Sequence, residues 1–178
     1  MKEELVHSLK LYNAALESLK LDYSVIPVSV ISFSHEVRKA CETNVCGNYN
    51  KCWTCPPASG SVEDNKKYIT SFSSAFVFTT KHGLEDSFDC EGMENGKDSH
   101  NRLTAKLHEK YGKTNPVYGA GGCSVCYICA FPDICRFPLK KFLSIEAAGI
   151  DITELAVSAN LRYNNGENTV TYFSMILF

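Results

Sequence analysis

Ser74-Ala75-Phe76-Val77-Phe78-Thr79-Thr80 is the stretch on which the fold turns. A short, unbroken run of aromatic and β-branched side chains reads as a buried strand. Such a strand needs other elements packed against it, and the flanking sequence offers both helices and strands. Upstream, residues 3–20 place Leu5, Leu9, Tyr12, Leu16 and Leu19 at the spacing of one helical face. Val25 to Phe33 reads as a strand through Val28, Val30 and Ile31, with Pro27 at its start or on an edge. Ser61-Val62-Glu63-Asp64 has a serine cap and acids in a first turn, a helix start.

Downstream, residues 86–96 are polar, contain Gly92 and Gly96, and read as a loop carrying Cys90. Residues 98–111 form a helix with Leu103 and Leu107 on one face, and Val117 to Gly122 a short strand running into glycines. Pro138 suits the first turn of a helix that reaches about Ala148 and stops at Gly149. Residues 151–160 make another short helix, and Thr169 to Phe178 a last strand. The alternation defines the expected fold class, α/β or α+β: a single compact domain over residues 1–178 with cysteine-rich metal-binding loops.

Composition narrows the function. The net charge of −2 gives no basic nucleic-acid footprint, so no nucleic-acid partner is expected. No apolar run approaches the ~20 residues of a membrane span, so no membrane partner is expected either. The start, Met1-Lys-Glu-Glu-Leu-Val-His7, lacks the apolar core of a signal peptide, and the expected location is cytoplasmic. The outlying number is nine cysteines in 178 residues. An odd count without a signal, in a chain long enough to fold without staples, argues for metal or redox chemistry over disulfides.

The cysteines fall in two blocks. Cys123-Ser-Val-Cys126-Tyr-Ile-Cys129-Ala-Phe-Pro-Asp-Ile-Cys135-Arg-Phe-Pro138 has three cysteines at two-residue gaps and a fourth farther on. A short loop with that spacing wraps three corners of one cubane, as in bacterial ferredoxins, although here the gap to the fourth cysteine is longer. Gly121 and Gly122 allow the backbone close to a cluster, and Tyr127 and Ile128 are placed to shield it from water. Zinc is the competing metal, since four thiolates satisfy a tetrahedral site. Zinc sites more often present two separated pairs, and this run is a triplet plus one. Buried or redox-only thiols are the third reading.

The other block is Cys41-Glu-Thr-Asn-Val-Cys46-Gly-Asn-Tyr49-Asn-Lys-Cys52-Trp53-Thr-Cys55-Pro56-Pro57. Cys52 and Cys55 form a Cys-x-x-Cys pair, but Pro56-Pro57 directly after it argues for an extended loop over a redox helix. The four thiols suffice for a second metal site, and Trp53 is expected to pack over it. Some of these thiols as small buried hydrophobes is the plainer alternative.

Both blocks, with Ser144-Ile-Glu-Ala-Ala-Gly149-Ile-Asp151, give the chain its resemblance to a known family. It resembles the predicted metal-binding proteins, a cysteine-rich family of unknown function in bacteria and archaea. The resemblance implies metal binding, and its motif cysteines map onto Cys41, Cys46, Cys55, Cys123, Cys126, Cys129 and Cys135. Cys52 and Cys90 lie outside that pattern.

Seven motif thiols are one short of two fully ligated four-iron clusters. The expected function is therefore an iron–sulfur protein with one or two [4Fe-4S] clusters, in redox or sulfur-related chemistry. Cys123, Cys126, Cys129 and Cys135 would close one cluster, while Cys41, Cys46 and Cys55 hold another with an open iron; a crossover of Cys135 is the variant. The alternative is a zinc-binding structural or interaction protein without redox activity. Whether the chain is an enzyme stays open. The expected partner is a redox protein or a small-molecule substrate.

Other chemistry is thin. His35, His82, His100 and His108 read as surface or helix residues, and Asp86, Asp89 and Glu91 as a solvated acidic loop. Arg136 sits beside the proposed cluster, positioned to offset its negative charge, and Lys140-Lys141 reads as a solvated helix face. Gly119-Ala-Gly121-Gly122 lacks the Lys-Ser/Thr ending of a phosphate loop, and no Gly-x-Ser-x-Gly elbow occurs.

Overall fold

The computed structural model describes residues 1–16 and 19–178. Its helices are α1 (Lys2–Leu16), α2 (His35–Glu42), α3 (Val62–Ile69), α4 (Cys90–Tyr111) and α5 (Ile152–Ala159). Its strands are β1 (Lys20–Pro27), β2 (Ser74–Gly83), β3 (Val117–Gly119), β4 (Leu143–Ser144) and β5 (Thr169–Leu177). The strands form one sheet in the order β1-β2-β5-β3-β4. All neighbours are antiparallel except β3 and β4, where Tyr118 pairs with Leu143. The result is a single α+β domain.

β2 is the buried strand expected from its sequence, and its side chains build two cores by alternation. Ala75 and Val77 join Met175, Leu177, Ile69, Leu155 and Ile150 on one face. Phe76 and Phe78 join Ile176, Leu5, Leu9, Leu103 and Leu107 on the other, under α1 and α4. A fully buried Phe76 or Leu103 stabilises the fold by about 1.5–3 kcal/mol relative to its exposed state. With both faces covered, β2 has no polar alternation to show.

The expected helix starts at Ser61 and Asp151 are observed. The Ser61 side chain accepts from the Asp64 amide and that of Asp151 from the Thr153 and Glu154 amides. Other expectations are corrected. The first helix ends its described run at Leu16, and Leu19 lies outside it; the expectation for Glu17 and Ser18 falls outside the described residues. The strand placed at Val25–Phe33 is instead β1, ending at Pro27, with Val28–Val30 a 3₁₀ turn. β1 is an edge strand, which tolerates the missing proline amide at its end. α2 was not expected, because none of its residues is buried and it has no apolar stripe to read.

The polar loop expected at 86–96 is largely the first part of α4. Asp89 caps it by accepting from the Gly92 amide at 2.7 Å. Gly96 serves close packing there, since a Cβ would lie 2.9 Å from the His82 ring. The helix expected from Pro138 is absent. That segment turns at Phe137–Lys140, enters β4, and continues as a 3₁₀ turn over Glu146–Ala148, which Gly149 closes at φ +83°.

His100 is in a helix as expected, yet it is fully buried. Its Nδ1 lies 2.8 Å from Thr80 Oγ1 and its Nε2 2.7 Å from Ser174 Oγ, while Thr80 also bonds His82 Nε2. Burial holds the imidazole neutral, with its pKa lowered to about 3.

Candidate metal centre

Each cysteine block is an excursion from the sheet. The first lies between β1 and β2, where α2 delivers Cys41, turns carry Cys46 to Cys55, and α3 leads back. The second is the whole crossover between β3 and β4. The two excursions meet through specific contacts. The Cys123 amide donates to Thr54 Oγ1 at 3.0 Å, and Trp53 Nε1 donates to the Asp133 carbonyl at 2.8 Å. Trp53 packs edge-on against Phe131 with centroids 5.1 Å apart. A Cβ on Gly122 would come within 3.0 Å of Asn48, so the glycine admits the first block against the second.

Around that junction Cys123, Cys126, Cys129 and Cys135 line one small cavity. Cys52 lines it too, together with Trp53, Thr54, Phe137, Arg136 and Lys141. Cys52 is only 3 % exposed, and its sulfur lies 3.3 Å from Thr54 Oγ1. A hydrogen bond from the Cys55 thiol lowers the Cys52 pKa, helped by Thr54 and the Cys123 amide; the same bond raises that of Cys55. Burial pushes the Cys123 thiol up, the Val125 amide opposes it, and Cys52, Cys129 and Cys126 add to the rise.

Arg136 holds the second block in shape by donating to the Ile128 carbonyl at 3.0 Å. Lys141 is no solvated helix residue: its Nζ lies 5.5 Å over the Trp53 ring, and its side chain lines the thiol cavity. Trp53, expected over the site of its own block, instead lines the cavity of the second block and packs on Phe131. The expected shielding by Tyr127 and Ile128 is not observed, since both side chains are exposed. Cys90 stands apart, exposed at the start of α4.

Cys55 joins this group through its hydrogen bond to Cys52. Cys46 lies within electrostatic reach of both Cys41 and Cys55. Burial raises the Cys41 pKa, Arg38 opposes the rise, and Cys46 and Glu146 add to it. Burial also raises the Glu146 pKa, and Glu146 Oε2 is buried without a hydrogen-bond partner. Sequence reasoning left the role of Cys52 open, and its burial beside the second block places it in the thiol cavity.

All nine cysteines are free thiols. Among the described residues no three Cys, His, Asp or Glu side chains converge on a point that would hold a single metal ion. A cavity of about 330 Å³ opens beside Cys123, lined by Asn101, Arg102, His108, Ser124, Lys140 and Phe142 among others. Among the described residues no helix is long and apolar enough to cross a membrane.

Fold and site together define a cysteine-rich α+β domain whose two thiol loops pack at one edge of its sheet. The model of the family described as Predicted metal-binding protein (DUF2284) matches residues 24–178, and the chain belongs to that family. Searches of the curated proteins and of the solved structures found no match.

Proposed function

We propose that this protein is an iron–sulfur protein that binds one or two [4Fe-4S] clusters through cysteine thiolates. Its work lies in redox or sulfur-related chemistry. The observation that carries the reading is the common cavity of Cys123, Cys126, Cys129 and Cys135, three of them on a run at two-residue gaps. The donor set fits the group: soft thiolates select iron–sulfur clusters, zinc or cuprous ions.

Cys123, Cys126, Cys129 and Cys135 are the ligands of one cluster, and Cys41, Cys46 and Cys55 hold three corners of a second. A bound cluster would supply one-electron transfer or a Lewis-acidic iron. The chain's own groups prepare the place. Arg136 and Lys141 put positive charge beside the thiolates, and Trp53 and Phe137 cover the cavity with apolar surface. The partner is a redox protein or a small molecule; the cavity of about 330 Å³ beside Cys123 is of a size that takes a small ligand.

Anaerobic purification with visible absorbance and metal analysis tests the reading. A brown protein with about four to eight irons per chain, and matching sulfide, is expected. A colourless protein loaded with zinc overturns it, because zinc has no redox step.

A further inference from the structure

We propose that the exposed apolar surface of residues 125–139, together with Arg136, Lys140 and Lys141, is the docking site for an acidic electron-carrier protein. This rests on the reading of the thiol cavity as a cluster site.

The first support is where the apolar surface lies. Six exposed large apolar side chains fall within these fifteen positions: Val125, Tyr127, Ile128, Ile134, Phe137 and Leu139. The other ten among the described residues are scattered from Met1 to Tyr163. Ile134 is 90 % and Leu139 81 % exposed, and Tyr127 is fully exposed. Single exposed apolar residues are ordinary, but a concentration of them marks an interaction surface. The loop is folded back on itself, since the Arg136 side chain donates to the Ile128 carbonyl at 3.0 Å. Trp53 fastens the same loop at the Asp133 carbonyl, next to Ile134.

The second support is that this surface is the outer wall of the thiol cavity. Val125 and Phe137 are exposed on one side and line the cavity of Cys123, Cys126, Cys129 and Cys135 on the other. Side chains of this one loop therefore separate a seated partner from the thiols, a short path for an electron. Electron-transfer encounters use small, transient interfaces, and one loop suffices for them.

The third support is charge, which selects the occupant. Residues 123–141 carry Arg136, Lys140 and Lys141 against the single acid Asp133, so this stretch is +2 in a chain of net −2, and the rest carries −4. Lys140 Nζ lies 5.4 Å over the Phe137 ring and Lys141 Nζ 5.5 Å over the Trp53 ring, which sets the positive charge within the apolar surface. Asp98 and Glu109 share a cavity with Lys140, but Glu109 is paired with Lys106 at 3.2 Å and Arg102 lines the same cavity. An acidic rim on the partner complements these cations and steers the encounter. A second copy docking through the same surface would set the cations against each other. One electron passes from the reduced carrier to the oxidised cluster, and no bond is made or broken.

The test is stopped-flow reduction of the anaerobically reconstituted full chain by a reduced plant-type ferredoxin, a small acidic carrier, with dithionite as the control. The wild-type rate constant should fall about tenfold between roughly 20 and 300 mM salt. The triple variant Tyr127→Ser, Ile134→Ser and Leu139→Ser should lower it about tenfold at low salt, and Lys140→Glu should lower it and flatten the salt dependence. Iron content, visible spectrum and dithionite reduction of the triple variant should match wild type. A wild type that takes no electrons from ferredoxin, or a rate indifferent to salt and to the triple variant, overturns the docking surface and leaves the cluster reading intact. So does a dimer, or binding to phosphatidylserine vesicles, that the triple variant abolishes, because the surface then serves a second copy or a membrane. A colourless protein loaded with zinc overturns the cluster reading and this proposal with it.

Discussion

Thr54 Oγ1 accepts the Cys123 amide at 3.0 Å and lies 3.3 Å from Cys52 Sγ, so one hydroxyl joins the two cysteine blocks. Thr54 is itself buried. The bond spans 69 positions of sequence and joins loops that share no strand or helix. Thr54→Val keeps the shape and removes the bridge, leaving the Cys123 amide without its acceptor. A loss of about 1–3 kcal/mol in denaturant unfolding is expected, with faster chelation of metal, and Thr54→Ser should restore most of both.

Cys126→Ala and Cys90→Ser make a contrasting pair. Cys126 lines the shared thiol cavity and Cys90 is exposed at the start of α4. Loss of about half of the visible absorbance and about half of the bound iron is expected for Cys126→Ala, and no change for Cys90→Ser. Iron loss from Cys90→Ser would mean that the thiol cavity is not where the metal sits.

Gly96→Ala should destabilise, although alanine is the better helix former by about 1 kcal/mol. The added Cβ would meet the His82 ring at 2.9 Å and Tyr172 at 3.2 Å, pressing α4 off the sheet. A net loss of about 1–2 kcal/mol is expected in thermal or denaturant unfolding. A stabilised variant would show that α4 and β2 can part without cost.

Acid should weaken the fold through His100. Its folded pKa of about 3 lies below the ordinary histidine value near 6.5, so the unfolded chain binds a proton that the folded one refuses. The stability is fully present above about pH 6.5 and falls as the pH drops towards 3, by up to about 1.4 kcal/mol per unit from this group. Metal-free protein measured by denaturant titration between those values isolates the effect from ligand protonation. His100→Asn should flatten the slope over that window while lowering stability at neutral pH.

What could be read along the chain was whatever local physics writes there. β2 and β5 declared themselves through apolar runs, α3 through the cap at Ser61, and the candidate ligands through cysteine spacing. Where local signs conflicted with packing, the reading failed. Gly92 and Gly96 look like a loop, yet they sit inside α4 because a side chain at position 96 would collide with β2 and β5. Pro138 looks like a helix start, yet its segment is drawn into the sheet edge by β3 and held by Lys141 against Trp53.

The sequence by itself determined a cysteine-rich, metal-binding chain of mixed helices and strands, because spacing, caps and apolar runs are properties of neighbours along the backbone. Only the tertiary structure decided which thiols share a cavity. Cys52 is three residues from Cys55 in sequence, but it faces Cys123, Cys126, Cys129 and Cys135 because Thr54 and Trp53 clamp its loop onto the other block. Contacts between distant segments set where a side chain ends, and no local pattern records them.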